Sequence, residues 1–144
     1  MSICIVPMTD RHVEAIATLE RRCFADPWSE DGIREELDNP CAAFLVATEG
    51  DCVVGYVGCH HIAGEGYITN VAVDPACRRR GIARALLTHA LDAWSDLSRV
   101  TLEVRVSNAA AIALYEGLGF TRDGIRPKFY AHPTEDAAIY SLRR

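Results

Sequence analysis

The segment Arg78-Arg79-Arg80-Gly81-Ile82-Ala83-Arg84 places four arginines and two small residues at the point where a strong helical pattern begins. Amide N–H groups in the first turn of a helix have no partner inside it, and the helix dipole adds positive potential there. A phosphate docks on such a start when small residues let the backbone come close. Gly81 and Ala83 meet that need, and the arginines add long-range attraction and forked hydrogen bonds. Without a ligand, the same pattern is a basic helix cap or a solvated loop. Two other phosphate motifs are absent: there is no Gly-x-Gly-x-x-Gly fingerprint and no Walker lysine followed by Ser or Thr.

A second group of reactive residue types follows. Thr101-Leu102-Glu103-Val104-Arg105-Val106 alternates, with Leu102, Val104 and Val106 on one face and Glu103 and Arg105 on the other. A central parallel strand is normally apolar on both faces, so a carboxylate there must be paired or used. Glu103 either forms an ion pair, with Arg105 or another arginine, or accepts a proton, directly or through one water, from an attacking amine. An amine attacks only as the free base, and an α-amino group has a pKa near 8. Tyr115, on the helix after this strand, either packs its ring or gives a proton to a leaving group. Asn108 can cap that helix, bond a ligand at the strand's C-terminal mouth, or do both.

The elements that must position these residues are legible in outline. Ile3–Met8 reads as a strand, and Thr9-Asp10 starts a helix to about Phe24 with Val13, Ile16, Leu19 and Cys23 as its apolar stripe. Asp26-Pro27-Trp28-Ser29 breaks that helix, Ser29 caps a second one, and Asn39-Pro40 ends it. Ala42–Thr48, Cys52–Ile62 and Tyr67–Val73 read as three successive antiparallel strands joined by short turns. Asp74–Gly81 is a polar loop. Ile82–Ser95 is an amphipathic helix with Ala83, Leu86, Leu87, Ala90, Leu91 and Trp94 on its apolar face. The strand Arg99–Val106 follows this crossover and is therefore expected parallel to Tyr67–Val73. Asn108–Leu118 is a helix closed by Gly119, and Phe120–Arg122 and Ala137–Leu142 read as late strands. The expected fold is α/β: one mixed sheet, antiparallel at first and parallel at its centre, in a single domain over 1–144.

Bulk properties narrow the function. The chain has 144 residues, 49% of them hydrophobic and 24% charged, with a net charge of −5. An acidic protein with one local basic cluster suits a compact anion rather than nucleic acid. No apolar run approaches the roughly 20 residues that span a bilayer, so no membrane partner is expected. Met1-Ser2-Ile3-Cys4 lacks the basic and then apolar pattern of a secretory signal, and a cytoplasmic location is expected. Six scattered cysteines without a Cys-x-x-Cys pair read as reduced thiols acting as small core hydrophobes. The His60-His61 doublet reads as structural, because neighbouring strand residues point to opposite faces, and no metal is expected.

Arg78-x-x-Gly81-x-Ala83, preceded by Val71-Ala72-Val73-Asp74-Pro75, resembles the acetyl-CoA signature of the GNAT superfamily of N-acetyltransferases. Ser107–Phe120 together with Leu102-Glu103-Val104-Arg105 resembles more narrowly its bacterial ribosomal-protein-alanine N-acetyltransferases, the RimI type. Asp26-Pro27-Trp28-Ser29-Glu30 and Arg126-Pro127-Lys128-Phe129-Tyr130 are similar to further segments of that group. Lys128-Phe129-Tyr130 departs from the commoner Asn-Tyr-Tyr, at the substrate mouth.

The resemblance implies a sheet of six to seven strands flanked by about four helices. It implies acetyl-CoA as co-substrate, with Val71, Ala72, Val73, Arg79, Arg80, Gly81, Ile82, Ala83, Arg84 and Asn108 as its contacts. It assigns Glu103 as general base and Tyr115 as general acid. The implied acceptor is a protein amino terminus, the N-terminal alanine of a small-subunit ribosomal protein. Trp28 and Tyr130 are candidates for a peptide groove or for core and rim packing. Since no cysteine stands in a nucleophile setting, direct attack within a ternary complex is expected rather than an acetylated enzyme. Acetylation of a small amine or a lysine side chain is a second reading, and a non-catalytic CoA-binding module is a third.

Overall fold

The computed structural model describes residues 2–144. The chain runs β1 (Ile3–Pro7), α1 (Val13–Cys23), α2 (Glu30–Glu35), β2 (Ala42–Glu49), β3 (Cys52–Ile62), β4 (Glu65–Val73), α3 (Ile82–Ala93), β5 (Arg99–Arg105), α4 (Ala109–Gly117), β6 (Thr121–Tyr130) and β7 (Glu135–Arg143). The seven strands make one sheet in the order β1-β2-β3-β4-β5-β7-β6. β4 and β5 pair parallel, and every other neighbouring pair is antiparallel. This is the mixed sheet expected from the order of the elements.

Helix ends follow local chemistry. Ser29 accepts a hydrogen bond from the Gly32 N–H at the start of α2, at 3.0 Å. Asn108 does the same for the Ala111 N–H at the start of α4, at 3.2 Å. Gly119 takes φ +100° just past α4, as a left-handed closure requires.

Two apolar clusters flank the sheet. On one face, Leu86, Leu87, Ala90, Leu91 and Trp94 of the α3 region pack on Leu45, Val57, Ile68, Leu102 and Val104. Each fully buried leucine there contributes about 2 kcal/mol. On the other face, Val13, Ile16, Ala17 and Leu19 of α1 and Ile33 of α2 pack on Phe44, Val46, Tyr56 and Ala72. Consecutive residues of β2, Phe44 to Ala47, are therefore all buried, alternately on the two faces. β5 is different, since its burial alternates strictly and Glu103 and Arg105 lie on the less covered face. α1 and α2 cover only the β1–β4 half of the sheet, so this face of β5 is partly covered. The Glu103 side chain is nonetheless buried there and paired, as a carboxylate on such a strand must be.

Three expectations are corrected. β6 extends to Tyr130 rather than stopping at Arg122; its pairing with β7 is interrupted between Arg122 and Gly124 and again between Arg126 and Tyr130. These bulges, and a solvent-facing edge, erase the clean alternation that marks a strand in sequence. In α3 the core takes Ile82, whereas Ala83 is half-buried and turned to a cleft. All six cysteines are free thiols, but Cys59 alone is fully buried; Cys4 and Cys52 are exposed. His60 is held by Glu36, Nε2 to carboxylate oxygen 2.6 Å, a structural pairing.

Candidate active site

The site begins where β4 and β5 part. Their parallel ladder covers only Glu65–Tyr67 against Arg99–Thr101, and it stops there. Thr69 is the extra residue of a bulge opposite Gly58 and Cys59 of β3. Beyond it, Val71, Ala72 and Val73 keep their pairing with β3 but have no partner on the β5 side. Backbone groups without a strand partner thus face the space between the strands, with only the Val73 C=O engaged, by the Cys23 thiol at 3.5 Å. Two clefts open from this gap.

The first cleft, of about 780 Å³, is lined by Val71, Ala72, Val73, Arg78, Arg79, Gly81, Ile82, Ala83, Arg84, Asn108 and Tyr115, with Ala110, Ala111 and Leu114 of α4. Gly81 stands at the start of α3 with φ +75°, and no side chain caps that start. The first helical hydrogen bond is Ala85 N–H to Gly81 C=O, at 3.0 Å. The amides of Ile82, Ala83 and Arg84 therefore have no partner within the helix. Arg79 is also left-handed, at φ +66°. Left-handed residues alternating with ordinary ones are the backbone pattern that gathers N–H groups into an anion-binding concavity. Arg78, Arg79 and Arg84 bring positive charge to the lining, which contains no carboxylate.

Arg80 is the exception among the residues expected here. Its guanidinium forms two hydrogen bonds to Glu49 on β2, at 3.1 and 2.5 Å, and it does not line the cleft. The neighbouring guanidinium holds the Glu49 carboxyl below its usual range. Arg80 thus anchors the loop to the sheet edge, and only its backbone remains for a ligand.

The second cleft, of about 650 Å³, meets the first at Val71, Asn108, Tyr115, Cys23 and Phe24. Its lining includes Glu20, Asp26, Trp28, Asn70, Glu103, Tyr130 and His132. Glu103 lies at its floor with a side chain only 5% exposed. Its carboxylate accepts a short hydrogen bond from the Tyr67 hydroxyl and lies 3.8 Å from the Arg126 guanidinium. Arg105, the partner weighed from sequence, instead binds Glu135 at 3.1 Å and lies over the Tyr130 ring at 4.5 Å. Burial pushes the Tyr130 phenol up to about 12, with the charge of Glu103 adding to the effect and that of Arg105 opposing it.

Tyr115 is buried, its ring centroid 5.9 Å from that of Phe120, and it lines both clefts. Burial raises its phenol well above the usual value, so it is a neutral proton donor throughout the physiological range. Asn108 caps α4 and lines both clefts. Its Oδ1 is taken by the helix cap, which leaves the Nδ2 donors toward the clefts it lines.

Three residues at the site were not singled out from sequence. Tyr67 is opposite Thr101 and so shares the face of Glu103; this requires the strand register, which the sequence does not print. Arg126 lies on the unexpected part of β6. Glu20 did carry a signal, because it continues the buried α1 stripe of Val13, Ile16 and Ala17 as a lone charge. It is 1% exposed and accepts from Tyr56 Oη at 2.6 Å, Trp28 N–H at 2.9 Å and Asn70 Nδ2 at 3.4 Å. It thereby ties the α1–α2 loop and β4 together beneath the second cleft. Trp28 is both groove and core, lining the cleft and packing on Phe44 at 6.2 Å. Among the described residues no group of three or more His, Cys, Asp or Glu is arranged to hold a metal, and no helix is long and apolar enough to cross a membrane.

Residues 13–120 match the model of the acetyltransferase (GNAT) family. The [ribosomal protein bS18]-alanine N-acetyltransferase of Salmonella typhimurium is 40% identical over 98% of this chain and 96% of its own. The N-alpha-acetyltransferase RimI of Mycobacterium tuberculosis is 36% identical over 99% of this chain and 92% of its own. An uncharacterized protein of Mycobacterium leprae is 38% identical over 99% of this chain, which spans only 40% of that protein. The crystal structure of the ribosomal-protein-S18-alanine N-acetyltransferase from Escherichia coli superposes with a TM-score of 0.91 at 34% identity, over 99% of this chain and 94% of the other. The agreement thus extends well past the Arg78–Arg84 loop to both clefts and the strands that form them, and the chain belongs to the acetyltransferase (GNAT) family.

Proposed function

We propose that this chain is a single-domain, acetyl-CoA-dependent N-acetyltransferase that acetylates a protein amino terminus, the N-terminal alanine of a ribosomal protein. The observation that carries the reading is the meeting of two clefts of opposite character at Val71, Asn108 and Tyr115, with Glu103 in the second of them. One has the uncapped start of α3, small residues and three arginines, and it suits the pyrophosphate of CoA. The other is open to a peptide and has a carboxylate at its floor. The relatives named for this reaction are 34–40% identical over most of the chain.

Acetyl-CoA supplies a thioester-activated acetyl group. The β4 edge at Val71–Val73 would hold the pantetheine arm, and the amides from Arg80 to Arg84 would hold the phosphates. The free Nδ2 of Asn108 would add a further donor to the arm. Glu103 takes the proton of the attacking amine, directly or through one water, as the C–N bond forms. Tyr115 gives its proton to the departing sulfur. Both substrates meet at the junction of the clefts, where burial raises the Cys23 thiol and disfavours its nucleophilic thiolate, so transfer is direct and no cysteine is acetylated.

Incubation with acetyl-CoA and a panel of peptides differing in their first residue, read by mass spectrometry, tests this. Acetylation of the α-amine of alanine-starting peptides is expected. Acetylation of lysine side chains or small amines alone would overturn the substrate assignment.

A further inference from the structure

The outer end of the peptide cleft is bridged by one contact between its two lips. Asp26 belongs to the α1–α2 connection and His132 to the β6–β7 connection, and both line the cleft. His132 Nδ1 lies 3.0 Å from each carboxylate oxygen of Asp26. Both side chains are largely exposed, 73% for His132 and 61% for Asp26. A pair so exposed is weak, so a better-matched cation can take the carboxylate from the imidazole.

The other two carboxylates of the lining are committed. Glu20 serves Tyr56 and the Trp28 N–H, and Glu103 serves Tyr67 and lies 3.8 Å from Arg126. Behind the lining, Glu135 holds Arg105 and the Ser107 N–H. Asp26, by contrast, presents both oxygens and has only an imidazole against them. The charge of Arg105, the one arginine of the lining, is answered by Glu135, which leaves the cleft anionic beside its cationic neighbour.

Resting on the reading of this cleft as the peptide site, we propose that Asp26 selects acceptors carrying a guanidinium or ammonium side chain within the first few residues behind the acetylated amine. A peptide with its amine at Glu103 leaves extended, gaining about 3.3 Å per residue, between the lips that Asp26 and His132 close. A guanidinium there engages both carboxylate oxygens and displaces His132. Opposite charges at such a rim raise encounter and specificity more than they speed the chemistry.

The test uses alanine-starting peptides with Arg, Gln or Glu at position two, three or four and neutral residues elsewhere. kcat/KM is measured for the wild type, Asp26→Asn and Asp26→Lys, and the Arg-to-Gln and Glu-to-Gln ratios are compared within each protein, so any change in total activity cancels. The wild type is expected to favour Arg over Gln about fivefold at one position, chiefly through KM, as an exposed ion pair allows. Asp26→Asn should bring that ratio near one, and Asp26→Lys should favour Glu. Equal ratios in all three proteins, with the peptides still acetylated, overturn the role of Asp26 alone. Failure of every alanine peptide overturns the amino-terminal reading beneath it as well.

Discussion

Tyr67 on β4 donates its hydroxyl to Glu103 on β5, across the point where the parallel ladder between those strands has just ended at Thr101. The bond fixes one carboxylate oxygen and leaves the other facing the peptide cleft, with Arg126 3.8 Å away. Burial and the Glu103 carboxylate both raise the Tyr67 phenol, so it stays a donor. Tyr67 is accordingly a positioning residue for Glu103, the proposed base.

Glu103→Gln keeps the shape and the Tyr67 contact but cannot accept a proton. Its kcat is expected to fall about 10²- to 10³-fold with little change in the Kd for CoA. Tyr67→Phe should cost less, on the order of tenfold in kcat with the KM for peptide little changed, because the carboxylate loses the hydroxyl that orients it. An unchanged kcat in Tyr67→Phe would remove its positioning role.

Tyr115→Phe removes the proposed proton donor while keeping the contact with Phe120. A drop in kcat of about 10- to 100-fold is expected, measured as thiol release at saturating peptide. A leaving group that needs no acid would leave kcat unchanged.

Tyr56, Tyr67 and Tyr115 all have phenols raised above the ordinary value of 10.0 by burial. Between that value and their folded values the unfolded chain has lost protons that the native chain keeps, so stability falls as pH rises. Below pH 10 this contribution is fully present. Thermal unfolding at pH 8 and at pH 10.5 should show a lower Tm at the higher pH, and less so in Tyr115→Phe.

Arg79 occupies a left-handed conformation that an L side chain disfavours by about 1 kcal/mol. Arg79→Gly is expected to raise stability by up to about 1 kcal/mol while weakening CoA binding several-fold, as charge leaves the cleft. Denaturant melts and CoA titration of the same variant separate the two effects. Tighter CoA binding would mean that the loop's strain, not its charge, limits affinity.

Glu20→Ala leaves the Tyr56 hydroxyl and the Trp28 N–H without an acceptor in a buried place. A loss of about 2–4 kcal/mol is expected by denaturant unfolding. KM for peptide should also rise, since Trp28 and Asn70 both line the cleft.

The sequence by itself determined much of this protein. The period of Leu86, Leu87, Ala90, Leu91 and Trp94 marked a helix, and the crossover before Arg99 made β5 parallel to β4. Ser29, Asn108 and Gly119 declared helix ends, because capping is a local matter of one side chain and a few backbone groups. Gly81 and the arginines around it marked an anion site for the same reason. The tertiary structure decided what depends on register and on where pairing stops. It gave Arg80 to Glu49 rather than to the cleft, and Arg105 to Glu135 rather than to Glu103. It extended β6 through two bulges, and so brought Arg126 and Tyr130 to the cleft of Glu103. Above all, it ended the β4–β5 ladder after Tyr67, opening the gap in which Glu103, Asn108 and Tyr115 meet. Partners tens of residues apart are chosen by the whole sheet's packing, and no local pattern of residue types encodes that choice.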